Sequence, residues 1–454
     1  MMKQMKLTEG KVFPVLLQFV LPFLAANLLQ SLYGGVDVLI VGRFGNAESV
    51  SAVSTGSQIM MFVTNIMIGL ATGGTVLIGQ FIGAKREEEA ADTIGTMLSL
   101  FAGIAVVLSA AMAFLSPQLA AWMHAPAGAY DDTVDYVFVC SCGIIFIIGY
   151  NMVSGILRGL GDSNTPLLFV AAACGANIAL DLLFVAAFHM GAKGAALATV
   201  MAQALSLLLA ALLLGKRGLP FPFSGENLKP NGGKAGKILM IGMPLALSNG
   251  LVDVSFLIIT VIVNSMGVVA SAALGVTEKL IGFAMLIPGA FGAAISAMAA
   301  QNVGAGLYHR AKACLKYGIL CSLACGLVLC GICQAVPDFF TALFTKDGAV
   351  VHAAALYLKS FSIDCIMVSF VFCFNGYFTG CGKSVFTMLH GVAATFLIRI
   401  PVTFLVSRLP EVTMYEMGFA APLASVFSIV CCLVYLARTS RKKSPLQTPE
   451  SGLI

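Results

Sequence analysis

The sequence predicts an all-α polytopic membrane protein: twelve transmembrane helices in two parallel-repeat six-helix lobes around a central cavity. Three observations predict it. The 454 residues are 59% hydrophobic and 10% charged, with a mean hydropathy of +0.95, whereas a soluble domain carries about a quarter charged residues. Twelve apolar runs of membrane-spanning length follow one another. The chain also matches itself when shifted by about half its length. The composition excludes a secreted disulfide scaffold and a cytosolic enzyme, and a net charge of +5 is too small to imply a nucleic-acid partner. Most of the thirteen cysteines sit in apolar runs, where Cys packs as a small hydrophobe. The opening stretch MMKQMKLTEGKVFP lacks the pattern of a removable signal peptide.

The first six runs lie at about 14–39, 51–79, 93–116, 134–157, 166–188 and 191–214, the second six at about 238–263, 271–302, 313–336, 353–379, 385–407 and 414–437. They are long and continuous, without the period-two alternation of barrel strands, so they read as helices. Residues 1–214 form the N-lobe and 238–437 the C-lobe. Between them, 215–237 is a cytoplasmic linker with three Pro, six Gly and five basic residues. Residues 438–454 are a cytoplasmic tail. With the N-terminus inside, the inner segments hold nineteen Lys or Arg and the outer loops four, so the positive-inside rule puts both termini in the cytoplasm.

A shift of 221 pairs Gly155, Gly159, Gly161 and Ser163 with Gly376, Gly380, Gly382 and Ser384, and Gln80, Gly83 and Ala84 with Gln301, Gly304 and Ala305. A shift of 222 pairs Pro22 and Asn27 with Pro244 and Asn249. Each half has six spans and starts inside, so the repeats are parallel and substrate is expected between them near the midplane. The repeat also disposes of a decoy. GCGKS at 380–384 resembles the end of a phosphate-binding loop, but the first glycine of that motif would fall on Tyr377, and Asp162 stands in the other half where Lys383 does. A tight inner turn is the common element, and no nucleotide site is expected.

Five acids lie within spans: Asp37, Asp181, Asp253, Glu278 and Asp364. Each costs about 2.5 to 3.5 kcal/mol near a helix centre on insertion scales and so calls for a role. At ~1.5 Å rise per residue, Asp181 lies ~22 Å from the inner end of its helix, and Thr199 lies ~12 Å below the outer end of the next, close to the same height. Asn177 precedes Asp181 by four residues and shares its face. Asp37 also falls in the outer half. Carboxylate, amide and hydroxyl oxygens at one height on helices 1, 5 and 6 suit Na⁺, and paired carboxylates suit H⁺ exchange. The alternative is that Asn177 and Asp181 bond to each other or cap a kink.

In the C-lobe, Asp253, Glu278 and Asp364 fall in the outer half, a possible second cation or substrate site. Arg399 reaches the same depth and could neutralise Glu278 or Asp364. Gln30, Tyr150, Asn151 and Asn249 could line the cavity, although bonding between helices is the commoner role. Pro22, Pro244, Pro288, Pro401 and Pro422 permit bending of their spans. His124, His189, His309 and His352 lie near loops, and no metal site is visible beyond possible Na⁺.

These residues resemble the multidrug and toxic compound extrusion (MATE) transporters. LPFLAANLLQSLYGGVDVLIVGRFG resembles the family's first helix with its Asp, here Asp37. NIALD at 177–181 followed by GAKGAALAT at 191–199 resembles its cation site, and RGLGDSNTP at 158–166 its inner turn. The resemblance runs from about residue 8 to 440. It implies a bacterial inner-membrane antiporter, without cofactor or nucleotide, that exports lipophilic organic cations or other small-molecule drugs in exchange for Na⁺ or H⁺. It carries Asp37, Asn177, Asp181 and Thr199 onto the N-lobe cation site, and makes Asp253 and Asp364 plausible C-lobe acids. A lipid-linked-precursor flippase of a related two-lobed fold is the competing reading; it needs a basic cavity, for which the sequence offers mainly Arg399. Oligomeric state is left open.

Overall fold

The structure, a computed structural model, describes residues 5–441. It has ten helices long and apolar enough to cross a membrane, or twelve when each of two bent pairs counts as one span. No strand occurs among the described residues. Spans 1 to 6 are Val12–Phe44, Ala47–Gly83, Glu87–Trp122, the pair Ala127–Cys142 and Ile144–Gly159, Asn164–Ala187, and Gly191–Arg217. Spans 7 to 12 are Gly232–Asn264, Val268–Gly304, Tyr308–Ala335, the pair Gly348–Phe361 and Asp364–Gly380, Ser384–Val406, and Met414–Thr439. Each expected apolar run lies on one of these spans. The tail expected at 438–454 begins inside the last helix, Ala420–Arg441, and its remainder lies outside the described residues.

The paired bends are a feature that hydropathy windows do not reveal. Span 4 turns by 49° at Gly143 and span 10 by 48° between Phe361 and Asp364, within two residues of the position that repeats Gly143. Spans 5 and 11 each contain a π-helical turn, Leu182–Ala187 and Ala394–Arg399. The turns that the repeat picked out, between spans 4 and 5 and between spans 10 and 11, are tight: Gly161 and Gly382 have φ of 87° and 73°, a region that glycine enters without a Cβ penalty. Asp162 then starts span 5 by accepting hydrogen bonds from the backbone N–H of Asn164 and Thr165, both at 3.0 Å.

Residues 5–6 and 21–246 form one compact unit; residues 7–20 and 247–441 form the second. Spans 1 and 7 therefore each change unit along their length. In the first unit span 2 is the central helix, with 56% of its apolar window buried against 17% for spans 1 and 3. Small residues let the backbones approach. A Cβ on Gly159 would lie 2.8 Å from the Thr75 carbonyl oxygen, and the Thr75 hydroxyl donates to the Gly155 carbonyl at 2.9 Å. The second unit repeats this around span 8, half of whose window is buried. There Gly376 sits against the Gly292 carbonyl, and a Cβ on Gly380 would lie 2.5 Å from that of Ser296. Thr75 and Ser296 are again 221 apart, so the glycines of the sequence repeat are the contact points of its central helices.

Candidate functional site

Span 1 carries Asp37 into the first unit, where its side chain is buried. The Thr199 hydroxyl of span 6 donates to Asp37 Oδ2 at 3.3 Å. Asn177 and Asp181 of span 5, buried at 1% and 0% exposure, lie close enough to act on the same carboxyl. The structure thus brings all four predicted N-lobe residues together. Asp181 is the last residue before the π-helical turn; such turns alter how neighbouring side chains are aimed and often mark functional sites.

The chemistry follows from what the oxygens lack. Asp37 Oδ1, both carboxyl oxygens of Asp181 and the Asn177 amide oxygen receive no hydrogen bond from the described residues. Buried acceptors of this kind are rare in folded proteins because an unmatched one costs about 1–3 kcal/mol. Two facing carboxylates cannot satisfy each other unless a proton or a cation lies between them. Carboxyl, amide and hydroxyl oxygens are also the ligands that a hard cation takes.

A second rung escaped the sequence reading. One helical turn from Asp37 and Thr199, Gln203 Nε2 donates to the Tyr33 hydroxyl at 3.1 Å. Spans 1 and 6 are thereby joined twice, at positions four residues apart on each helix. That spacing was available in the sequence once Asp37 and Thr199 had been matched. Gln30 and Tyr150 flank Tyr33, which puts two of the proposed lining residues beside the site. Asn151 does otherwise: its amide donates to the Ile147 carbonyl of its own helix at 2.9 Å.

In the second unit, Arg399 closes the π-helical turn of span 11 and lies over the Phe256 ring at 4.3 Å. Its charge acts on both Glu278 and Asp364. Asp364 is buried, opens the second helix of span 10, and keeps Oδ1 without a donor among the described residues. Glu278, Asp364 and Arg399 thus share one neighbourhood. Asp253 and Asn249 are half-buried on span 7. Two further features went unread in the sequence. His390 is buried between Ser428 Oγ at 3.3 Å and Cys432 Sγ at 3.5 Å, and Cys330 and Cys333 stand at C-x-x-C spacing in span 9. Among the described residues no group of three His, Cys, Asp or Glu is placed to hold a metal ion.

Two repeated helical units of membrane-spanning helices, with buried oxygens gathered in the first, suit a membrane transporter, and comparison with known proteins gives that class. The chain belongs to the MatE family, a family of multidrug efflux transporters: the family model matches residues 22–183 and again 244–405, stretches whose starts lie 222 residues apart. The probable multidrug resistance protein YpnP of Bacillus subtilis is 27% identical over 406 residues, covering 89% of this chain and 91% of that protein. The multidrug export protein MepA of Staphylococcus aureus is 24% identical over 440 residues, covering 95% of each. A crystal structure of a MATE protein in a bent conformation superposes with a TM-score of 0.91 at 21% identity, covering 98% of this chain and 100% of that one. The outward-facing conformation of a multidrug resistance MATE transporter gives a TM-score of 0.90 at 21% identity, covering 96% and 98%. The chain is a transporter and not an enzyme.

Proposed function

We propose that this protein is a secondary antiporter of the cytoplasmic membrane, both termini inside, that exports lipophilic cationic compounds by alternating access in exchange for Na⁺ or H⁺. The observation that carries the reading is the set of oxygens on Asp37, Asp181 and Asn177, buried and, among the described residues, without donors apart from Thr199. An inflowing cation would neutralise the carboxyls and change how span 1 packs on span 6. Coupling follows only if the cation binds one conformation better than the other, since equal affinity shifts nothing. A pump driven by nucleotide is disfavoured by Tyr377 in the place of the motif's first glycine. The flippase reading rests mainly on Arg399, which already lies over the Phe256 ring at 4.3 Å with Glu278 and Asp364 in its neighbourhood.

The test is counterflow in proteoliposomes loaded with an ethidium-like dye, with a Na⁺ gradient and a pH gradient imposed separately. Dye movement that follows one of the gradients in the wild type and is lost in Asp37→Asn and Asp181→Asn is expected. Movement at the wild-type rate and ion dependence in both variants would overturn the proposal.

A further inference from the structure

The segments that lead into spans 1 and 7 are both gripped at their inner ends, and the grip follows the repeat. Ahead of span 1, the Arg310 guanidinium donates to the carbonyls of Gly10 at 2.5 Å, Glu9 at 2.6 Å and Leu7 at 3.4 Å. Asn302 adds a bond from its amide to Leu7 at 3.2 Å, and Leu7 is fully buried. Ahead of span 7, the Asn227 amide donates to Asp92 Oδ1 at 2.8 Å, and the Ser99 hydroxyl to the Leu228 carbonyl at 2.5 Å. Lys234 Nζ donates to Asp92 Oδ2 at 2.8 Å and to the Glu89 carbonyl at 3.2 Å. Gly95 leaves room for the Asn227 carbonyl to lie directly on span 3.

The two grips occupy matching places. Leu7 and Leu228 are 221 residues apart, as are Glu89 and Arg310. In each case the main holder is the start of the third span of a half, joined in the second grip by its first turns as far as Ser99 and in the first by Asn302 at the end of span 8, and what it holds is the lead-in to the other half's first span. The first grip lies wholly within the second unit, and the second wholly within the first. The charged part of the chemistry differs: a guanidinium fork on carbonyls in one, a lysine–aspartate ion pair in the other. The same arrangement reached with different residues indicates that the clasping itself is what matters.

We propose that the two clasps are locks of the transport cycle. They hold the inner ends of spans 1 and 7 on the opposite half while the inner side is closed, and they release when it opens. Arg310 and Asp92 are then positioning residues that set the balance between closed and open forms, and neither belongs to the cation site. The inference rests on the alternating-access reading.

The test measures the separation of the inner turns directly. Spin labels are introduced as non-canonical amino acids at Lys85 and Leu307, both exposed, so that the thirteen native cysteines stay in place. Pulsed dipolar spectroscopy of the full-length protein in nanodiscs then gives the populations of short and long distances. Arg310→Ala and Asp92→Asn should each raise the long-to-short ratio by roughly fivefold or more, as loss of charge-assisted hydrogen bonds requires. Arg310→Lys, a point charge without the fork, should fall between Arg310→Ala and the wild type. If Arg310→Ala does not fold, Asn302→Ala should move the ratio in the same direction. Two wild-type populations whose weights these variants leave unchanged would overturn the clasps alone. A single wild-type distance that neither dye nor ion gradient alters would instead overturn alternating access.

Discussion

Asp37 and Asp181 each bury a carboxyl that the described residues leave short of donors. Replacing either with Asn keeps the volume and removes the charge, so ion-driven dye efflux in proteoliposomes should fall by roughly 5- to 150-fold, the usual range of a coupling free energy. Thr199→Val removes the one hydroxyl donated to Asp37. It should raise the ion concentration needed for half-maximal efflux while leaving dye binding close to wild type, which titration of efflux against the driving ion checks. These side chains were legible in the sequence because a charged group inside an apolar run carries an insertion cost and so draws attention. Tyr33 and Gln203 carry no comparable cost and passed as ordinary interhelical polar residues; only their bond shows them to be a second rung. His390 went unnoticed for a related reason. The other four histidines lie near helix ends, and the one within a span is satisfied by Ser428 and Cys432.

At the scale of helices, hydropathy located every span but not its shape. Apolar windows average over about twenty residues, so a 49° bend at Gly143 and a π-helical turn after Asp181 leave the average untouched. The repeat was more informative than the windows. Its glycines at 155, 159, 376 and 380 are where spans 4 and 10 cross spans 2 and 8. Gly376→Ala places a Cβ on the Gly292 carbonyl, a backbone group that cannot rotate away. It should destabilise the protein by about 1–3 kcal/mol, seen as a lower melting midpoint in detergent. Gly175→Ala has no atom within 4 Å of the new Cβ. Lying in a helix, it should be neutral or stabilising by about 0.5–1 kcal/mol in the same assay.

At the scale of the whole molecule, the distribution of basic residues makes an orientation testable. A fluorescent protein that folds only in the cytoplasm, fused after the last residue, should fluoresce, while a periplasm-dependent phosphatase at the same point should be inactive. The division into halves was legible as a repeat of sequence, and the family match at 22–183 and 244–405 follows the same period. What the repeat could not show is that residues 7–20 pack with the second unit while the start of span 7, up to Ala246, packs with the first. That exchange has a consequence for ancestry and for expression. Either half alone is an incomplete fold, because the opening turns of its first helix find their neighbours in the other half. Two copies of an ancestral six-helix chain could have completed one another by trading those turns, and fusion of the duplicated genes would then have made the trade permanent. Halves produced separately from this gene should accordingly be cleared by membrane proteases, and halves produced together in one cell should recover measurable dye efflux.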